Sequence, residues 1–163
     1  MNLKAISQES VPRALELVER YRLLNEAEQA ESICRDILAV DPNNQSASRM
    51  LLLAICDQFD ERKDLVVQDA QPVAANLADD YERHYFTGII YERYGRAKLH
   101  EKQPYTVVSD WIARAMDEFE KAEALRPAHD DAAILRWNTC VRMLERLPVS
   151  DRVAPEAEAF DYA

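Results

Sequence analysis

The chain holds only two glycines in 163 residues. Glycine-rich phosphate loops, dinucleotide-binding fingerprints and turn-dense β-sandwiches all need more, so those folds and their chemistry are excluded. Cysteine is equally sparse. Cys34, Cys56 and Cys140 are an odd number, show no CxxC spacing, and each sits inside an apolar helical pattern. They read as small buried hydrophobes of a protein in a reducing compartment. No apolar run approaches the length needed to span a bilayer. The opening MNLKAISQES has one lysine and no apolar stretch, which is not a secretory pattern. A cytoplasmic protein without a membrane role is therefore expected. Cationic excess is missing too: the formal charge is −10 and the isoelectric point lies near 4.8. Binders of nucleic acid or anionic membrane normally show a basic face, so neither partner is expected. A basic partner suits the net charge better.

What remains is an apolar content of 48% beside 31% charged residues, enough for a real core and too much for wholesale disorder. The length fits one domain or one short repeat array. Between Val11 and Asn44, Leu15, Leu17, Val18, Tyr21 and Leu24 recur at helical spacing. The pattern breaks at Asn25 and restarts as Ala27, Ala30, Ile33, Cys34, Ile37 and Leu38, until Pro42 stops it. Two amphipathic helices joined by so short a turn must pack antiparallel, as a helical hairpin. From Gln45 a very apolar helix, QSASRMLLLAICDQF, is followed by DLVVQDAQPVAANLADD, where Pro72 predicts a kink or a helix restarting with proline in its first turn. Two further helical stretches, YERHYFTGIIYERYG and WIARAMDEFEKAEAL, are separated by residues 96–110. If both helices simply lengthen, each gains roughly two turns and protrudes by ~11 Å; otherwise Pro104 marks a loop. A last helix, DDAAILRWNTCVRMLERL, closes the array, and residues 148–163 form a Pro/Ala/acidic tail expected to be mobile.

Segment 11–44 resembles a tetratricopeptide (TPR) repeat, a family whose repeat has the same length of about 34 residues. Leu17, Tyr21, Ala30 and Pro42 match the family pattern, and Asn25 takes the place of the usual inter-helix glycine because Asn accepts the left-handed conformation. Cys34 and Ile37 depart from it, standing where an aromatic and an alanine are usual. Gly88, Tyr91 and Gly95 match the family's small, aromatic and turn positions, and Ala115, Phe119, Ala122 and Pro127 match its second helix. The resemblance implies an all-α fold of about three TPR-like hairpins plus a capping helix, wound as a right-handed superhelix. Its repeats would be about 11–44, 45–80 and 81–129, with an insertion at 96–110 and the cap at 130–147, after a lead-in of residues 1–10.

It also implies a concave groove lined by the first helix of each repeat. Family groove positions fall on Leu15 and Glu19, on Arg49, Leu53 and Asp57, on Glu82, Tyr85, Ile89 and Arg93, and on Ile134 and Asn138. Leu53, Tyr85 and Ile89 would form an apolar floor, with Arg49, Asp57, Glu82 and Arg93 as a charged rim. Such a trough suits a basic or amphipathic peptide or helix. Family members that hold the acidic tails of heat-shock chaperones use lysines and asparagines; the matching positions here include Met50, Leu53, Phe86 and Leu135, which cannot grip a carboxylate.

Catalytic and metal motifs are lacking. His84, His100 and His129 lie on different stretches and form no recognisable ligand spacing, and no GxSxG-type motif supports a nucleophile. His129-Asp130-Asp131 reads as a helix N-terminal cap. No cofactor is expected. Arg96, Lys98, His100 and Lys102 form a basic island, either a solvated helix extension or a contact arm for an acidic partner or second subunit. Phe160 and Tyr162 in the tail raise the idea of a segment that docks into a groove. The expected function is a non-catalytic interaction module, adaptor or scaffold. The alternative is a TPR-type secretion chaperone holding an apolar translocator segment, with a metal-binding protein or enzyme third. A homodimer is compatible with these readings.

Overall fold

A computed structural model describes residues 1–148. The tail expected at 148–163, with Phe160 and Tyr162, lies beyond Pro148 outside the described residues. Among the described residues the protein is all-helical: a 3-10 turn at Gln8–Ser10 and seven α-helices. These are α1 (Val11–Leu23), α2 (Ala27–Val40), α3 (Gln45–Asp57), α4 (Val67–Ala75), α5 (Asp80–His100), α6 (Tyr105–Leu125) and α7 (Ala132–Glu145). No helix among them is long and apolar enough to cross a membrane.

Local chemistry sets the boundaries. Pro12 occupies the first turn of α1, where its missing donor costs nothing. Asn25 takes φ 59°, and the Glu26 N–H returns to the Tyr21 carbonyl at 2.8 Å, closing the α1–α2 turn. The Asn44 side chain accepts from Ala47 N–H at 2.9 Å to start α3, and Asp79 does the same for Glu82 at the head of α5. Before α7 it is Asp130 that accepts from the Ala132 N–H, at 2.9 Å, with His129 at φ 66° setting up the turn.

Two expectations change. Gly95 is not at a turn. It lies inside α5 and is buried, because α5 continues to His100 and α6 begins again at Tyr105. The insertion 96–110 is thus mostly helix, with only Glu101–Pro104 as the connection and Lys102 at φ 58° turning it. Nor does a helix restart at Pro72. Helix α4 begins at Val67 and runs through the proline, with Val67, Ala70 and Ala74 buried while Gln68 and Pro72 face outward. The Gln68 carbonyl, which loses its donor to Pro72, is therefore on the side where water can serve it.

Each helix packs against its predecessor and successor, and α3 also touches α1 and α5. The α5–α6 pair has the largest interface. Both glycines lie in it: a β-carbon at Gly88 would sit 2.5 Å from Phe119 Cε1, and one at Gly95 would sit 2.9 Å from Ile112 Cδ1. A continuous core runs along the chain through Val18, Ile37, Leu52, Ile55, Ile90, Ile112 and Phe119, all 2% exposed or less. Each contributes on the order of 1.5–3 kcal/mol by leaving water.

Candidate functional site: a parallel helix row

Polar links fix how the odd-numbered helices lie. Arg22 near the end of α1 donates from Nε to Asp57 Oδ2 at 2.9 Å, at the end of α3. Arg49, early in α3, donates through Nη1 to both Glu82 oxygens at 2.8 and 2.9 Å, early in α5. Farther along the same two helices, Arg93 of α5 holds the other oxygen of Asp57. At the far end, the Tyr81 hydroxyl, early in α5, donates to Asp130 just before α7 at 3.1 Å. Glu92 then meets Arg136 of α7 at 3.2 Å. Contacts follow the same order along neighbouring odd-numbered helices, so α1, α3, α5 and α7 run parallel along one side.

This row unites some of the sequence-predicted residues and separates others. Arg49–Glu82 and Asp57–Arg93 are joined as cross-helix pairs. Tyr85 is half-buried in a ring cluster, stacked on Tyr81 at 5.8 Å and edge-on to Phe86 at 5.3 Å. Leu15 and Leu53 are half-buried against the core, Ile134 and Asn138 are half-buried on α7, and Glu19 is exposed. None of these five belongs to an ion pair among the described residues. Ile89 is core rather than floor: at 2% exposure it has no surface to offer a ligand. The reason is its place one residue beyond Gly88, on the side of α5 that closes against the neighbouring helices.

Four residues absent from the sequence-based site complete the row: Arg22, Glu92, Arg96 and Arg136. Glu92 is 1% exposed and meets Arg96 at 3.7 Å as well as Arg136. A signal for this pair was present. Glu92 stands three residues after Ile89 on a buried stripe of α5, and Arg136 stands between Ala133 and Cys140, both fully buried. Opposite charges at apolar-stripe positions of two helices require a partner.

Electrostatically, four guanidinium groups share two carboxylates here. Burial lowers the pKa of Arg22 and of Arg93 from the ordinary guanidinium value, and Arg136, Arg22 and Arg96 add to the effect at Arg93. Burial also pulls on Arg136, but the Glu92 charge and Tyr85 outweigh it and leave its pKa raised. The part-exposed Asp57 pairs contribute little net stability, of order 1 kcal/mol or less, whereas Glu92, 1% exposed, depends on its arginines to be buried at all. The larger effect of these pairs is to fix register between helices while leaving cationic edges exposed.

Two cavities open beside the row. One of about 460 Å³ is lined by Asp57, Phe59, Asp60, Arg93, Arg96 and His100. The other, about 410 Å³, lies where the ends of α5 and α7 meet the start of α6. Nucleophile chemistry is disfavoured at the thiols: burial pushes Cys34, Cys56 and Cys140 up to about 12. His84 pairs with Glu118 at 2.7 Å and His100 with Asp60 at 2.9 Å, on separate parts of the surface. No group of three or more His, Cys, Asp or Glu is placed to hold a metal ion among the described residues. No protein-family model, curated protein or solved structure matches the chain.

Proposed function

We propose that this protein is a non-catalytic interaction module of the TPR type. It receives a peptide or helix along the row α1–α3–α5–α7 and serves as an adaptor or assembly scaffold in the cytoplasm. The architecture that goes with this reading is a short right-handed superhelix of three hairpins, α1–α2, α3–α4 and α5–α6, with α7 as cap. The observation that carries it is the parallel row itself. Odd-numbered helices lie side by side, tied by Arg22–Asp57–Arg93, Arg49–Glu82 and Glu92–Arg136, with cavities opening next to these ties. A rigid row of parallel helices with spaced recesses and charged edges is what an extended or helical ligand needs for register and anchoring.

The test is site-specific photo-crosslinking in cells. A photoreactive residue at Arg49 or Arg96 should capture a partner polypeptide, whereas one at Ser32 of α2 or Ala113 of α6, both exposed on the other helices, should not. Capture from Ser32 and Ala113 alone would overturn the reading.

A further inference from the structure

The cavity of about 410 Å³ at the end of the row differs from the rest of this acidic molecule. Its lining gathers three arginines, Arg96 from α5 and Arg142 and Arg146 from α7 and its C-cap, beside the neutral-polar Thr139 and the imidazole of His100. Among the described residues no acidic one lines it, and Leu99, Tyr105 and Met143 supply apolar wall. The guanidinium groups of Arg142 and Arg146 have no hydrogen bond or ion pair among the described residues. Arg96 has only the 3.7 Å contact with Glu92 and is 53% exposed. Of the neighbouring carboxylates, Asp60 holds His100, and Glu101 is engaged by Lys98 and Lys63 at 2.9 and 3.1 Å. We infer that this cavity binds an acidic peptide segment of another polypeptide, with an aromatic or aliphatic anchor in the recess and carboxylates on Arg96, Arg142 and Arg146. The inference rests on the interaction-module reading and names the subsite and ligand chemistry.

Two objections are decided by magnitude. Cations near helix C-termini have an ordinary role, because each terminus carries about half a negative charge. Here α5 and α7 both end at the cavity, but three full guanidinium charges exceed two such half charges. The dipoles also leave the apolar recess between the arginines unaccounted for. Second, a net charge of −10 would repel an acidic ligand at long range. Screening limits that repulsion to roughly 8 Å at physiological ionic strength, so the charges lining the cavity decide the binding. Guanidinium groups also grip carboxylates in a bidentate fork that lysine lacks. A volume of about 410 Å³ falls in the range of ligand recesses, ~300–1,000 Å³.

The experiment is selection of a random peptide library on the full chain, beside the double variant Arg142→Glu, Arg146→Glu checked for unchanged helicity. Both arginines are exposed, so the reversal should leave folding intact. Selected peptides should be rich in Asp and Glu around an aromatic or aliphatic residue. They should bind the double variant about tenfold more weakly or worse, and lose affinity as salt rises. Acidic peptides that bind both forms equally, or enrichment of basic peptides, would overturn the cavity assignment while leaving the interaction module standing. A selection yielding no binder would count against both. A third form, with Asp151, Glu156, Glu158 and Asp161 changed to Asn or Gln, separates the remaining occupant. If only that form selects acidic peptides, the chain's own residues after Pro148 fill the cavity, and a partner in trans is overturned. If inorganic phosphate alone displaces the selected peptides as well as an acidic peptide does, the apolar anchor is refuted.

Discussion

Gly88 and Phe119 show how one missing methyl sets the distance between two helices. The resemblance marks Gly88 as a small position and Phe119 as one of the second helix; that the two touch is seen only in the structure. The same reasoning failed at Gly95, because a glycine that ends a helix and one that admits a neighbour look alike in a single sequence. An alanine at 88 would gain ~1 kcal/mol of helix propensity. Its β-carbon, however, would meet the fully buried Phe119 ring at 2.5 and 2.7 Å. Overpacking of this kind costs ~1–3 kcal/mol, and a ring held on all sides cannot swing away. Gly88→Ala should therefore destabilise by ~1–2 kcal/mol and lower the melting temperature by roughly 2–8 °C for a chain of this length. Gly95→Ala is the control. Its main contact is the tip of Ile112 at 2.9 Å, which can rotate, so thermal melts should find it milder than Gly88→Ala. Equal melting temperatures for the two variants would mean that the Phe119 contact does not set the helix spacing.

Helix and hairpin boundaries were read well where a capping or turn residue marks them, as at Asn25, Pro42 and Pro127. They were left open where no single residue decides: at Pro72 the helix does not restart but begins at Val67, and in 96–110 both helices lengthen, one of the two readings offered, with only a short connection between them. The pairings between helices were the least legible, since a carboxylate's partner depends on which element lies across from it. Two such carboxylates tie elements together. Glu31 of α2 accepts from Gln58, just beyond α3, at 2.6 Å and from Arg35; Glu118 of α6 accepts from Lys121 at 2.6 Å and pairs with His84 of α5 at 2.7 Å. Burial pushes both pKa values up, but these hydrogen bonds and charges outweigh it and leave both below the ordinary value of 4.5. A carboxyl depressed in the folded state stabilises it above the unfolded-state pKa, and that stability is lost as pH falls through the folded value. Stability from these two groups should thus be level between about pH 5 and 7 and should fall below about pH 4.5. Urea titrations across that range would measure it. Glu118→Gln should flatten the acid limb, and an unchanged limb would show that Glu118 contributes nothing to it.

The all-α character followed from helical periodicity and scarce glycine, both visible along the chain. The basic island of Arg96 and His100 was visible along the chain, but that Arg142 and Arg146 join Arg96 at the end of the row was not, because a net charge of −10 says nothing of where the minority charge collects. Helices that touch mainly their chain neighbours give each region a stability of its own. Between α5 and α6 lies the largest interface, where Gly88 meets Phe119 and Gly95 meets Ile112, both side chains fully buried. By contrast, α4 has nine residues, an internal proline and an outward face of Gln68, Pro72 and Ala75. It is entered through residues 60–64, all of them exposed. Fewer buried contacts and one absent backbone bond should let α4 open without the rest of the protein. Native-state hydrogen exchange should find the slowest amides in the middle of α5 and α6, and the fastest helical amides in α4. The difference should persist at low denaturant, where local openings dominate, and vanish as global unfolding takes over. Equal protection in α4 and α5 would instead make the array one cooperative unit. In that case the odd-helix ties from Arg22 to Arg136 would carry more of its stability than their partial exposure suggests.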